Sequence, residues 1–89
     1  MYKAFVTIMI LDRRLNPGEA EEFLRSIASE NIGGLYILDD VAFKITTIDA
    51  YTIGLEAYSD GLNSLLKAIK AIEDAFKARY SVIIEASLL

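Results

Sequence analysis

The segment Ser59 to Tyr80 constrains this chain most, because it reads as one helix with two different apolar faces. At 3.6 residues per turn, Leu62, Leu65, Leu66, Ile69, Ile72, Phe76 and Tyr80 form a wide stripe of large side chains. Ser64, Ala68, Ala71, Ala75 and Ala78 form a second stripe of small side chains, displaced by roughly 130° around the axis. Asn63, Lys67, Lys70, Glu73, Asp74 and Lys77 fill the remaining arc. A surface helix needs only one apolar stripe to dock on its own core. A neighbouring ridge of alanines lets another helix approach closely, so this segment suits both an internal core and a partner. The high helix propensity of alanine accounts for the same residues without a partner.

Apolar residues make up 54% of the 89 residues, a high share for a chain that can bury something over ~60% of its unfolded surface. One modest domain spanning residues 1–89 is expected, with part of the apolar surplus covered by another surface, since monomers rarely expose large apolar patches. Nine Lys and Arg stand against thirteen Asp and Glu, a net charge of −4. That balance argues against strong autonomous binding to nucleic acid, which needs a basic patch to displace counterions. Cys and His are both absent, which removes disulfides, thiolate catalysis, the commonest general base and the commonest metal ligand. The alternating N-terminus lacks a signal-peptide layout, and no apolar run approaches the ~20 residues of a membrane span. The expectation is a soluble cytoplasmic protein with no membrane attachment.

Tyr2 to Leu11 alternates as a strand. Tyr2, Ala4, Val6, Ile8 and Ile10 share one face, and Lys3, Phe5, Thr7, Met9 and Leu11 share the other. Lys3 and Thr7 mark the second face as the wetter one, yet Phe5, Met9 and Leu11 are apolar, a further sign of a covered surface. Asn16-Pro17-Gly18-Glu19 is a strong helix start, with Asn16 as N-cap, Pro17 in the first turn and Glu19 in a capping-box position. Ala20, Phe23, Leu24, Ile27 and Ala28 form that helix's inner face, and it is expected to end near Asn31, with Gly33-Gly34 as the stop. Leu35 to Leu38 reads as a connector or brief strand. Val41 to Ile48 and Tyr51 to Tyr58 read as a hairpin across Asp49-Ala50, with Tyr51 on the core face. Ser59 is the expected N-cap of the long helix, and Ser81 to Leu89 reads as a last strand. The order is that of an α+β fold, β-α-β-β-α with an extra C-terminal strand, both helices lying on one face of an antiparallel sheet.

Candidate chemistry is sparse. Asp39-Asp40 with Asp49 offers carboxylates to a hard divalent cation, although Asp also marks turns. Arg13-Arg14 offers guanidinium groups to phosphate, or forms a solvated loop pair. Gly33-Gly34 lacks the Lys-Ser or Lys-Thr that follows a phosphate-binding glycine loop. The five tyrosines are read as core or interface groups rather than base-stacking platforms, because the strands hold only Lys3 and Lys44 as cations. No serine has a His base beside it. The pattern therefore assigns no catalytic residue, cofactor or metal, and the chain is read as a non-enzyme.

Gly61-Leu62-Asn63-Ser64-Leu65-Leu66-Lys67-Ala68-Ile69-Lys70-Ala71-Ile72-Glu73, placed after a hairpin, resembles the end of the Pcc-type subunits of the KEOPS complex. Asn63-Ser64-Leu65-Leu66-Lys67 matches the opening stretch of that family's last helix. Pro17-Gly18-Glu19-Ala20-Glu21, the first strand and the hairpin follow in the family's order, so the resemblance covers roughly residues 2–80. This chain departs from the family at Ser59, near the position of its arginine, and in the added segment Ser81 to Leu89. The resemblance implies a non-catalytic dimerisation and scaffold subunit. Its helices would pack on the KEOPS catalytic subunit, and it would pair with a second Pcc-type chain as homodimer or heterodimer. It would meet tRNA only within the assembled complex, which installs threonylcarbamoyl on adenosine. On this expectation Ser64, Ala68, Ala71, Ala75 and Ala78 face the catalytic subunit, while Phe5, Met9 and Leu11 meet the second chain. The competing expectations are a dimeric ligand-sensing α+β module, with a site near Gly33-Gly34, and a sheet that binds RNA directly.

Overall fold

In a computed structural model describing residues 1–89, the alternating N-terminal segment becomes the strand around which the sheet is built. The elements are β1 (Tyr2–Ile10), α1 (Pro17–Ile27), β2 (Glu30–Ile32), β3 (Leu35–Leu38), β4 (Val41–Ile48), β5 (Thr52–Ser59), α2 (Leu62–Arg79) and β6 (Val82–Leu88). The six strands form one antiparallel sheet in the order β2-β3-β4-β5-β1-β6. This is the expected α+β architecture, enlarged by a small hairpin, β2–β3, between α1 and β4.

Register fixes the two faces. Ala4, Val6 and Ile8 of β1 lie opposite Ala57, Leu55 and Ile53 of β5 and opposite Leu88, Ala86 and Ile84 of β6. Phe43 continues this face into β4, beside Ala57 and Tyr36. Both helices add to it: Ala20 and Leu24 of α1 and Leu65, Ile69, Ile72 and Phe76 of α2 complete one cluster of 19 buried residues. The helices meet where Phe23 packs edge-on against Phe76, with ring centroids 4.8 Å apart. Lys3, Phe5, Thr7 and Met9 fall on the opposite face, which no helix covers.

The expected start of α1 is realised: the Asn16 side chain accepts a hydrogen bond from Gly18 N–H at 2.8 Å, and Pro17 opens the helix. Its end differs from expectation. The helix stops at Ile27 because Ser29 is drawn into the sheet, where its N–H and hydroxyl both donate to the Ile37 carbonyl. Gly33 and Gly34, with φ of +57° and +85°, are therefore not a helix stop but the tight turn of the β2–β3 hairpin.

Three further expectations are corrected. Tyr51 is 52% exposed and off the core face, because Asp49 Oδ1 accepts from both Tyr51 N–H and Thr52 N–H and holds Tyr51 in the turn. The β4–β5 ladder also shifts between Ile45 and Thr47. Gly61, not Ser59, is the N-cap of α2, since β5 runs on through Ser59 and the Ser59 hydroxyl instead accepts from Gly61 N–H at 3.1 Å. The stripes of α2 are also rotated. Its buried arc is Leu65, Ala68, Ile69, Ile72 and Phe76. Leu66, roughly 100° round from Leu65, is left 46% exposed, and Ala68 is taken into the chain's own core.

A candidate assembly surface on the open face and sheet edge

On the open face, the residues of adjacent strands form a charged centre with an apolar flank. Glu56 lies opposite Phe5 on one side and Lys44 on the other. Its carboxylate is 2.6 Å from Lys3 Nζ and 3.9 Å from Lys44 Nζ, and the residue is 8% exposed although its face is uncovered. Both ammonium groups sit over the Tyr58 ring, at 5.6 and 5.9 Å from its centroid. The hydrogen bond from Lys3, aided by Tyr58, holds the Glu56 carboxyl below its ordinary value, against the opposing effect of burial. The same bond raises the pKa of Lys3. The site is thus an ionised, mutually satisfied cluster, with both lysines already engaged.

The apolar flank lies beside this centre. Met9 faces Ile83 across the β1–β6 ladder, and Phe5 faces Ser87. Phe5 and Ile83 are 40% and 46% exposed. The flank continues round the edge of the sheet, because β6 is the outermost strand and nothing pairs with its far side. On the helix side of that edge a groove of about 410 Å³ runs between α2 and the end of β6, lined by Leu66, Ile69, Ala86 and Leu88, with Lys70 and Glu73 at its rim.

The structure places Phe5 and Met9 on this same face, with the Thr7–Glu85 rung between them. Leu11, exposed just beyond β1, belongs to the sheet end, where its N–H donates to the Ser81 carbonyl. The small residues of α2 lie on the other side of the sheet and divide among environments. Ala71 and Ala78 are exposed, Ser64 and Ala75 are half-buried, and Ala68 is buried. Leu66, expected on the core stripe of the helix, completes the edge surface with Ile83, Ala86 and Leu88. Their apolar character was visible, but their meeting depends on β6 taking the edge beside α2.

The other candidates are dispersed. Asp39 and Asp40 turn the chain between β3 and β4, and Asp49 turns it after β4, so an eight-residue strand of roughly 26 Å separates them. Arg13 donates to Glu19 at 2.7 Å and lies 4.9 Å from the Tyr80 ring centroid, while Arg14 lies over the Tyr51 ring. No helix is long and apolar enough to cross a membrane. No family model, curated protein or solved structure matches this chain.

The arrangement suits two kinds of contact: apolar packing on Phe5, Met9 and Ile83, and strand addition along β6, where the backbone itself supplies hydrogen bonds.

Proposed function

We propose that this chain is a non-catalytic assembly subunit, acting in the cytoplasm as a scaffold of the KEOPS complex that makes threonylcarbamoyladenosine in tRNA. The observation that supports the scaffold role is the set of exposed apolar side chains flanking the free edge of β6, with Phe5 and Ile83 on the open face and Leu66 and Leu88 on the helix side. Single exposed apolar residues are ordinary, whereas several gathered about one unpaired strand edge mark an interaction site. The placement in KEOPS rests on the resemblance of Asn63 to Lys67 and of Pro17 to Glu21 to the Pcc-type pattern. Exposed Ala71 and Ala78 leave part of α2 open to a close-packed helix of the catalytic subunit.

Affinity purification of the chain from its native cell, with identification of the co-purifying proteins, tests this reading. Recovery of the KEOPS catalytic subunit is expected, and Ala71→Leu is expected to weaken that recovery while the chain stays folded. Recovery of other partners and never of that subunit overturns the placement. Phe5 and Tyr58 beside Lys3 and Lys44 on one uncovered face support a second reading, direct RNA binding. Salt-sensitive binding of the purified chain to tRNA is the result that favours it.

A further inference from the structure

The geometry points to β6 as a self-pairing edge: two copies of this chain join antiparallel through β6, about a two-fold axis at Ala86, into one continuous sheet. This deepens the assembly reading and rests on it, but it concerns a strand outside the segment that resembles the Pcc-type pattern.

The backbone carries the first part of the argument. Leu11 N–H donates to Ser81 and Leu89 N–H donates to Lys3, at 2.8 and 2.9 Å. In an antiparallel ladder alternate residues exchange hydrogen bonds with a given neighbour. The odd-numbered residues of β6 therefore spend their backbone groups on β1, and Val82, Ile84, Ala86 and Leu88 present theirs outward. The strand is seven residues long, pairs with β1 without a register shift, and holds neither proline nor lysine. Those are the devices by which proteins guard an exposed edge. Its one charge is Glu85.

Glu85 selects the register. Outward-facing residues must pair with outward-facing residues, so the registers near the middle of β6 are centred on Ile84, Glu85 or Ala86. Centring on Glu85 sets two carboxylates face to face, which is unfavourable. Centring on Ile84 sets Glu85 against Ile83 of the second copy. Centring on Ala86 sets Glu85 against Ser87, Ile84 against Leu88 and Ile83 against Leu89. Each carboxylate then faces a hydroxyl, and each large apolar residue faces another.

The groove beside Ala86 supplies the second part. Its lining includes Lys70 and Glu73, of opposite charge, and within the chain Lys70 donates to Asp74 at 2.9 Å. A two-fold there sets the two α2 helices antiparallel across the seam, so each Lys70 approaches the acidic end of the other rim. Leu66 from both copies then closes over the small Ala86 pair. An unlike partner must reproduce this complementarity independently; a second copy has it by symmetry.

The test uses the full chain, which holds no cysteine of its own. Sedimentation equilibrium at tens of micromolar is expected to return twice the 9.9 kDa chain mass. Ala86→Lys, at an exposed side chain, is expected to weaken self-association at least about tenfold, the equivalent of ~1.4 kcal/mol, with an unchanged circular dichroism spectrum; Ala86→Val is expected to retain it. Under mild oxidation, Glu85→Cys mixed with Ser87→Cys is expected to form a mixed disulfide in preference to either self-disulfide, because opposed non-hydrogen-bonded residues lie within bridging distance. A chain that stays at 9.9 kDa, a dimer indifferent to Ala86→Lys, or a dominant Glu85→Cys self-disulfide overturns the proposal. A monomer that still captures the KEOPS catalytic subunit overturns the pairing alone, whereas a dimer that never captures it overturns only the KEOPS placement.

Discussion

Lys3 Nζ and Glu56 Oε1 lie 2.6 Å apart on the sheet face that no helix covers, and each holds the other in its charged form. The pair gives the chain a defined pH response. The folded pKa of Glu56 lies below its ordinary value near 4.5, so its stabilisation is complete above that value and is lost as pH falls through the lowered one. The folded pKa of Lys3 lies above 10.5, so its share is complete below that value and is lost as pH rises through the raised one. Thermal melts across pH are expected to show both losses, and Glu56→Gln is expected to flatten both. An unchanged profile in that variant removes the pair as their source.

Two adjacent leucines on α2 separate core from surface. Leu65 is fully buried and Leu66 is largely open. Leu65→Ala is expected to cost about 2–5 kcal/mol in urea unfolding, through lost burial and the cavity left behind. Leu66→Ala is expected to cost within ~0.5 kcal/mol, while lowering assembly through the β6 groove.

The β2–β3 turn is expected to require its glycines. At Gly33 and Gly34 an added Cβ meets nothing within 4 Å, so the penalty for a side chain is purely conformational. Gly34→Ala is expected to lose about 1–2 kcal/mol on chemical denaturation, and Gly33→Asn markedly less, since Asn tolerates the left-handed region.

The two helix starts are unequal. Asn16 caps α1 with its side chain, whereas Gly61 brings none to α2. Asn16→Ala is expected to cost ~1 kcal/mol. Gly61→Ser is expected to stabilise by roughly 0.5 kcal/mol, because Gly61 has φ −113°, open to any residue. Differential scanning calorimetry reads both.

Local signals were legible where one physical cause produces them. The alternation of Tyr2 to Leu11 defined β1, and Asn16-Pro17 defined the start of α1. Gly33-Gly34 was ambiguous because a helix stop and a hairpin turn both ask for positive φ. The Ser29–Ile37 hydrogen bonds, which are not local in sequence, settle the choice. Ser59 read as a cap because a hydroxyl beside an acidic residue suits one, but β5 retains it through pairing with Tyr2. In the candidate surface, Phe5 and Met9 stood out as apolar residues on a wet face. Leu66 and Leu88 did not, since their adjacency follows from strand order, which no short pattern encodes.

The two edges of the sheet differ in kind. At one end β2 offers three exposed residues beginning with Glu30, and at the other β6 offers a long regular ladder. Growth by strand addition therefore has a single direction. Two copies joined at β6 consume both open ladders and leave only the three-residue β2 at each end, so the assembly closes on itself rather than propagating into a fibre.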